Sequence, residues 1–407
     1  MSRVDDLINR LAPTGVQFEK LGDIAELVRG NGLPKTELTT TGVGAIHYGQ
    51  IYTRYGVWTA ATISFVRPET AVKLAKVQPG DIIITNTSEN VEDVGKAVAW
   101  LGEKEIVTGG HATVIKHRQD PKYLAYWFQS ESFFTQKKAL ATGTKVIDVS
   151  AKQLAKIRIP VPPLEVQREI VRILDNFTEL EAELEAELEA RTLQYAFFRD
   201  RLLTFRESDE VRWSTLGAIS SRVSSGATPL AGLPDYYEGG TIPWLRTQEV
   251  RFTDIYDTEV RITDRALKET AAKWIPANCV IVAISGATAG RSAVNRIPLT
   301  TNQHCCNFEI DPAQANFRYV FYWVRTHYED IKAMGQGARS DLNAGLIKSV
   351  PIAIPSLAEQ DRVVAVLDKF DALVNDLSVG LPAELKARRQ QYEYYREKLL
   401  TFEELVA

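Results

Sequence analysis

The strongest constraint on this chain of 407 residues is a long amphipathic segment that occurs twice. The first copy runs from Pro162 to Phe205 and the second from Pro355 to Phe402. The pairs PPLEVQ and PSLAEQ, RILDNF and AVLDKF, and QYAFFRDRLLTF and QYEYYREKLLTF align in the same order. Apolar residues recur every three or four positions, which predicts a helix roughly 60 Å long. Such a stripe needs an equally long partner, so we predict that the copies pair as a coiled coil.

This pairing predicts which side chains form the coiled-coil core. A globular stretch of similar length precedes each copy, so an antiparallel pair would relate two equivalent halves by a pseudo-twofold axis and carry one globular domain at each end. Gln167 and Gln194 in the first copy match Gln360 and Gln391 in the second, and the first interval is four residues shorter. Within the longer interval, Gly380 and Pro382 predict a helix end and a restart. The predicted core residues are Ile170, Leu174, Phe177, Leu180, Leu184, Leu188, Leu367 and Phe370.

The repeat extends into the globular stretches and defines the predicted domains. LGDI and LGAI align near their starts, and KVQPGDIIITNTS aligns with KWIPANCVIVAISG, a turn followed by a buried strand. The predicted fold class is α+β, with two pseudo-symmetric domains and two long helices. The predicted boundaries are 1–160 and 207–350 for the globular domains and 161–206 and 351–407 for the helical segments. We also expect the N-terminal segment to pack where the second helix ends.

Composition bounds the class of protein. Hydrophobic residues make up 45% of the chain and charged residues 25%, as in ordinary soluble proteins, and no apolar run is long enough for a membrane span. Three cysteines with no paired spacing predict neither a disulfide framework nor a metal site, and favour a reducing, cytoplasmic compartment. The net charge is −4, yet residues 1–160 carry 20 Lys and Arg against 16 Asp and Glu. A basic patch on a globular domain is therefore compatible with the acidic total.

The repeated helix motifs resemble those of the DNA-sequence specificity subunits of type I restriction-modification systems, over essentially the whole chain. Three ELEA tetrads at Glu179–Ala190 resemble the subgroup in which repeat number sets the distance between two DNA half-sites. The resemblance implies a non-catalytic subunit whose two target-recognition domains read double-stranded DNA on either side of an unread spacer. It also implies docking of two methyltransferase subunits and a restriction and translocase subunit. S-adenosylmethionine, ATP and Mg are then expected on those partners, with no cofactor in this chain.

Helix geometry agrees with a role of the tetrads as a ruler. Four residues lengthen a helix by about 6 Å and turn it about 40° beyond a full turn. An added tetrad therefore moves one reading domain by one to two base-pair steps without breaking the apolar stripe.

Other motifs receive simpler interpretations. Asp120-Pro121-Lys122-Tyr123 resembles part of the Asp-Pro-Pro-Tyr element of amino-methyltransferases, but a helix cap with proline at the first helical position explains it better. His111 and His304 occupy equivalent places without a second ligand, which favours structural histidines. Cys305 and Cys306 are expected in a half-buried strand. We predict no catalytic and no metal-binding residues.

Base reading requires polar and basic side chains on loops or strand ends. The glycine-rich loop at Gly143-Thr144-Lys145 and its counterpart around Arg339 are the strongest pair of candidates. The predicted DNA contacts are Arg29, Lys35, Tyr52, Arg54, Tyr55, Thr142, Thr144 and Lys145 in the first domain, and Arg222, Thr228, Arg246, Gln248, Arg251, Arg291, Arg339, Ser340 and Asn343 in the second.

Two other function classes compete with a DNA reader. One is a coiled-coil scaffold that binds only proteins, which binding of the chain to duplex DNA, with and without a methyltransferase partner, distinguishes from a reader. An autonomous methyltransferase or nuclease is opposed by the missing glycine-rich cofactor loop and the missing cluster of metal-binding carboxylates.

Overall fold

The computed structural model describes residues 3–205, 211–335 and 342–405. The chain divides into two compact units, the first formed by Met1–Glu185 with Leu385–Ala407 and the second by Ala186–Glu384. The divisions fall inside the long helices, so each unit contains a globular part together with portions of both helical segments.

The first unit is built on a five-stranded and a four-stranded sheet. Its strands are β1 (Phe18–Lys20), β2 (Ala25–Arg29), β3 (Val43–Ile46), β4 (Trp58–Thr59), β5 (Ser64–Val66), β6 (Ala75–Val77), β7 (Ile82–Thr85), β8 (Thr87–Ser88), β9 (Ala97–Trp100), β10 (Ile106–Thr108), β11 (Ala112–His117), β12 (Ile147–Asp148) and β13 (Arg158–Pro160). Its helices are α1 (Arg3–Leu11), α2 (Leu21–Ile24), α3 (Tyr48–Thr53), α4 (Pro68–Ala71), α5 (Pro121–Trp127), α6 (Glu131–Leu140) and α7 (Ala151–Leu154), with a 3-10 turn at Lys35–Glu37. The sheet orders are β2-β11-β7-β9-β4 and β5-β3-β10-β6, and two further pairs are β1-β13 and β12-β8.

The second unit repeats this topology. Its strands are β14 (Arg212–Thr215), β15 (Ser220–Ser225), β16 (Ile242–Leu245), β17 (Asp254–Ile255), β18 (Arg261–Ile262), β19 (Trp274–Ile275), β20 (Val280–Ala283), β21 (Ser292–Asn295), β22 (Leu299–Thr301), β23 (Cys305–Ile310) and β24 (Pro351–Ile354). Its shorter helices are α9 (Asp264–Glu269), α10 (Phe317–Thr326), α11 (Tyr328–Ala333) and α12 (Ala344–Lys348), with 3-10 turns at Pro234–Tyr236, Thr247–Glu249 and Gly286–Thr288. The orders β15-β23-β20-β21-β17, β18-β16-β22-β19 and β14-β24 match three sheets of the first unit strand for strand, which confirms the internal repeat and the α+β class. The described residues of the second unit contain no counterpart of the β12-β8 pair.

The central strand of each five-stranded sheet is buried on both faces. Ile82, Ile83 and Ile84 of β7 are fully buried, and Val280 and Ile281 of β20 are their counterparts. A strand covered on both sides reads as a continuous apolar run, which is why these segments were recognisable in the sequence.

The cysteines of β23 differ from expectation. Cys305 and Cys306 do lie in a strand, but both are fully buried, and burial raises the pKa of each thiol. The prediction of a half-buried strand is therefore wrong, because these two neighbouring residues lie on opposite faces of β23 and both faces are covered.

The two long helical segments have the predicted form. The first is a single helix, α8 (Leu164–Leu202), and the second is interrupted between α13 (Leu357–Asn375) and α14 (Leu381–Leu400). A Cβ at Gly380 would lie 2.4 Å from the carbonyl oxygen of Ala372, so the tight connection requires glycine. The predicted interruption is confirmed.

Within the first unit, α8 and α14 run antiparallel. The rings of Phe177 and Tyr395 stack with centroids 5.5 Å apart. Further along α8, Glu181 and Glu185 accept hydrogen bonds from Arg389 at 2.6 and 2.5 Å. Residue numbers therefore increase along α8 in the direction in which they decrease along α14, as in an antiparallel pair.

The residues predicted to form the helix core differ in their burial. Ile170, Leu174 and Leu367 are fully buried, whereas Leu180 is 45% exposed. The remaining predicted core residues are partly buried, namely Phe177, Leu184, Leu188 and Phe370. Leu180 lies about 60° around the helix from Phe177, at the edge of the buried stripe, so its assignment to the core is wrong.

The N-terminal segment packs against the end of α14, as predicted. The amide of Val16 donates to the carbonyl of Glu403 at 2.9 Å, and the amide of Leu405 donates to the carbonyl of Val16 at 2.9 Å. Gly15 has φ +109°, and a Cβ there would lie 2.9 Å from the nitrogen of Leu405. Leu400 joins the hydrophobic core of the first unit.

Candidate nucleic-acid interface

In the first unit, a main-chain ladder brings three loop segments side by side. The amide of Asn86, at the end of β7, donates to the carbonyl of His111 at 2.8 Å. The amide of Val149 donates in turn to the carbonyl of Asn86 at 2.8 Å. The turn before β11 and the segment after β12 therefore lie on either side of one strand end.

The second unit contains the same ladder. The amide of Ile284 donates to the carbonyl of His304 at 2.9 Å, and the amide of Leu342 donates to the carbonyl of Ile284 at 2.9 Å. Each unit thus presents one equivalent edge, which we call the loop face.

Aromatic and hydroxyl groups surround His111 on the loop face of the first unit. Its Nδ1 lies 2.9 Å from Oγ1 of Thr87, and its ring lies 4.8 Å from the ring of Tyr48. The hydroxyl of Tyr52 donates to the carbonyl of Thr87 at 2.5 Å, and burial raises the pKa of Tyr52. The histidine is partnered, as a structural residue would be, but it is also exposed among the predicted contacts.

The loop carrying Gly143, Thr144 and Lys145 belongs to the same face. Strand β12 pairs with β8 so that Asp148 lies opposite Thr87. Gly143 has φ +103°, and a Cβ there would lie 2.0 Å from the carbonyl oxygen of Val146, so this turn requires glycine. Thr144 and Lys145 are exposed, and Thr142 is held by backbone hydrogen bonds to Asp148.

Lys35 and Arg54 line a neighbouring recess of about 710 Å³ that also contains His47. Nδ1 of His47 accepts a hydrogen bond from the amide of Gly49 and caps α3. Burial, followed by the charges of Lys35 and His111, lowers the pKa of His47. A neutral imidazole thus accepts the hydrogen bond that caps α3, next to the side chains of Lys35 and Arg54. Sequence reasoning missed His47, although its spacing to Gln50 gives a capping box.

Arg29 and Tyr55 have defined partners. Nε of Arg29 donates to the carbonyl of Gly110 at 3.5 Å, which places the guanidinium next to His111. The Tyr55 hydroxyl accepts from the amide of Ile63 at 2.9 Å and is half-buried, so its polar atom already serves a loop.

In the second unit, Arg246 is the structural counterpart of His47. It precedes the Thr247–Glu249 turn, and its amide donates to Glu249 at 3.1 Å as the amide of His47 does to Gln50. Its guanidinium donates to Glu259 at 2.7 Å, so two carboxylates neutralise its charge.

Other predicted contacts gather around Arg246. Gln248 donates to Glu259 at 3.4 Å, and Nε of Arg251 donates to the carbonyl of Gln248 at 2.8 Å. The amide of Arg291 donates to the carbonyl of Thr288, whose hydroxyl reaches Thr247. The Nε atom of Arg291 is buried and finds no hydrogen-bond partner within the described part of the chain.

Side-chain hydrogen bonds link Thr228 to His304 through Gln303. Its hydroxyl bonds to the amide group of Gln303, whose nitrogen lies 3.2 Å from Nε2 of His304. The loop face of this unit is therefore also partly aromatic and partly polar.

Four second-unit predictions fare differently. Arg222 lies on β15 and pairs with Glu309 on the neighbouring strand β23 at 3.4 Å. The side chain of Asn343 caps α12 by accepting from the amide of Leu346, the same role that Ser150 has before α7. Arg339 and Ser340 lie outside the described residues.

The methyltransferase-like tetrapeptide is a helix cap. Oδ1 of Asp120 accepts from the amides of Lys122 and Tyr123 at 3.0 and 3.1 Å, and Pro121 opens α5. The capping interpretation is confirmed. Within the described ranges, His, Cys, Asp and Glu form no group that could hold a metal ion. None of the described helices combines the length and apolar character that crossing a membrane requires.

Comparison with known proteins agrees with the repeat. Residues 13–190 and 210–387 each match the family profile of the type I restriction modification DNA specificity domain. The specificity subunit of the type I restriction enzyme EcoR124I/EcoR124II from Escherichia coli is 36% identical over 293 residues, covering 69% of this chain and 70% of that protein.

Solved structures share the fold. The type I restriction-modification S subunit from M. genitalium superposes with a TM-score of 0.57 at 15% identity, covering 95% of this chain and 96% of that one. A chain solved in work on complex assembly and conformational transition of the type I R-M system gives 0.65 at 18% identity, covering 95% and 98%.

The repeated domain and these similarities define a protein of the class that supplies DNA specificity to restriction-modification systems. The chain belongs to the family of type I restriction-modification specificity subunits.

Proposed function

We propose that each unit reads one half of a bipartite DNA target through its loop face. The observation that carries this proposal is the occurrence of the same ladder, ending at His111 and at His304, in both halves of one chain. Exposed basic and polar side chains, among them Arg29 and Lys145, lie near the first ladder, and the exposed polar side chains of Thr228 and Gln303 lie near the second, as suits reading of base edges. The reading domains correspond to residues 1–160 and 207–350, and the helical segments to 161–206 and 351–407.

We assign different weights to the predicted contacts. In the first unit Lys35, Arg54, Thr144 and Lys145 are exposed around one face, which suits phosphate and base contacts. In the second unit Arg246 is ion-paired, so DNA has to compete with Glu259 for its guanidinium. The full proposed contact set also includes Arg29, Tyr52, Tyr55, Thr142, Arg222, Thr228, Gln248, Arg251, Arg291, Arg339, Ser340 and Asn343.

The helices supply the spacer and the docking surface. Leu193 and Phe197 of α8 are 68% and 60% exposed one turn apart, and Tyr394 of α14 is 61% exposed. Exposed apolar side chains of this kind suit a protein partner. We propose that two methyltransferase subunits bind the helices and that the restriction and translocase subunit joins through them. S-adenosylmethionine, ATP and Mg would act on those partners, and the complex would act on DNA in the cytoplasm.

The proposal is tested by sequencing methylated sites in cells that express this chain with its methyltransferase partner. One ELEA tetrad inserted after Ala190 should lengthen the spacer by one to two base pairs, because about 6 Å of helix spans that much duplex. Both half-sites should remain unchanged.

The matched control keeps the helix length. Glu183→Gln alters one tetrad without adding residues and should leave the spacer as it was. A continuous motif, or half-sites that change with the tetrad number, would refute the bipartite assignment.

A further inference from the structure

One cation in each unit connects the reading domain to its long helix. In the first unit, Nζ of Lys122 on α5 lies 2.7 Å from Oδ2 of Asp175 on α8. The same ammonium lies 4.1 Å from the centre of the Trp58 ring on β4. Lys122 thus joins the edge strand of the five-stranded sheet to the helix.

The second unit has the same connection with different chemistry. Arg318 on α10 pairs with Asp368 on α13 at 2.7 Å. It also pairs with Asp254 on β17 at 2.6 Å. We call Trp58, Lys122 and Asp175 the first clamp, and Asp254, Arg318 and Asp368 the second clamp.

The two clamps occupy equivalent positions in the repeat. Strands β4 and β17 are both edge strands, each paired in parallel with the neighbouring strand of its sheet. Asp175 and Asp368 are the aspartates of RILDNF and AVLDKF. A tyrosine reinforces each: Tyr126 donates to Asp175 at 2.8 Å, and Tyr322 donates to Asp368 at 2.6 Å.

The clamps differ from the exposed ion pairs on the helices. In the first clamp the side chains of Lys122 and Asp175 are 20% and 21% exposed. In the second clamp Arg318 and Asp254 are 12% and 19% exposed, while Asp368 is 43% exposed. Partial burial reduces solvent screening, and charge-assisted hydrogen bonds are the stronger kind. The exposed pair of Arg191 and Glu187 on α8, at 44% and 50%, lacks this protection.

We propose that the two clamps are positioning devices that fix the orientation of each reading domain on its helix and thereby set how strictly spacer length is selected. This inference rests on the proposed bipartite reading. A domain that can rock about its helix reaches half-sites displaced by one base pair, whereas a clamped domain does not. The clamp residues act through the domain and need not touch DNA.

The test measures methylation of targets whose spacer is one base pair longer or shorter than the preferred length. In the full complex, Asp175→Asn should raise methylation of these off-length targets relative to the preferred target by about tenfold, a ratio equivalent to about 1.4 kcal/mol. Lys122→Gln should act in the same direction, and it removes the charge from a partly exposed residue if Asp175→Asn folds poorly. Lys122→Arg should retain strict selection, because arginine serves at the equivalent position of the second unit.

The control variant is Glu187→Gln, which removes the exposed pair on the same helix and should leave spacer selection unchanged. Off-length methylation that stays at the wild-type level in a folded Asp175→Asn or Lys122→Gln complex would overturn the clamp. Altered half-sites would also overturn it, since the clamp is assigned no part in base reading. A wild-type motif without any spacer would instead contradict the bipartite function itself.

Discussion

At the scale of single residues, His117 is a titratable group that the fold buries, which composition alone does not reveal. His117, at the end of β11, accepts a hydrogen bond from the amide of Gln119 at 3.2 Å. Its Nε2 is buried and has no hydrogen-bond partner among the residues that the structure describes. Burial lowers the pKa of His117 from 6.5 to about 4, so the folded first unit favours the neutral ring.

This pKa predicts acid sensitivity of the first unit. The unfolded chain binds a proton near pH 6.5 and the folded unit only near pH 4, so the free energy of unfolding should fall as the pH drops across this window. The loss due to His117 is about 3 kcal/mol. Hydrogen exchange of the β7 and β11 amides between pH 4 and 7 measures it.

His117→Asn keeps a hydrogen-bond acceptor and should flatten the pH dependence. The exposed His304 in the second unit provides the comparison, since His304→Asn should leave it as in the wild type. An unchanged slope in His117→Asn would rule out this residue as the cause.

At the scale of elements, the sequence predicted long-period features better than short ones. The two helical segments and their interruption were recognisable because periodicity over many turns leaves few alternatives. In contrast, the short segment AIHYGQI changes from strand to helix within a few residues, since β3 ends at Ile46 and α3 begins at Tyr48. The reciprocal hydrogen bonds of His47 and Gln50 start this short helix, and such caps outweigh a few apolar residues.

The loop between Ala141 and Asp148 gives a prediction at this scale. Gly143→Ala forces a side chain into a conformation with φ +103° and against the backbone of Val146, so the loop has to change shape. If the loop reads DNA, affinity for targets should fall about tenfold or more, the cost of a lost base contact. Measuring binding of the methyltransferase complex to duplexes altered in one half-site at a time should show loss of discrimination at the first half-site only.

Gly56→Ala is the matched control, because a Cβ there meets nothing within 4 Å. Equal loss at both half-sites, or none at either, would contradict the role of the loop.

At the scale of the whole molecule, each unit is assembled from segments distant in the chain. The residues Leu385–Ala407 belong to the first unit although they follow the second in sequence. The repeat made this arrangement predictable, since it implied a nearly circular order of domains and helices. The side-chain contacts of each loop face were not predictable, because partners such as Glu259 for Arg246 depend on which loops the sheets bring together.

This assembly predicts a non-local effect of Leu400. The side chain is 2% exposed and packs in the core of the first unit. Leu400→Ala should lower the free energy of unfolding of that unit by about 2–5 kcal/mol. Hydrogen exchange should report the loss in strands β7 and β11 and leave β20 and β23 protected. Leu377→Ala, at a side chain that is 80% exposed, should change neither unit. Equal loss of protection in both units would show that they do not unfold separately.

The pairing of Arg389 with Glu181 and Glu185 has an evolutionary consequence. These glutamates occupy the same place in successive, identical tetrads, so inserting or deleting one tetrad brings another glutamate to the same arginine. Equivalent ion pairs with Arg389 can therefore form in more than one register of the two helices. Under the proposed ruler, a new target length would therefore need only one tetrad insertion or deletion and no compensating mutation in the opposing helix.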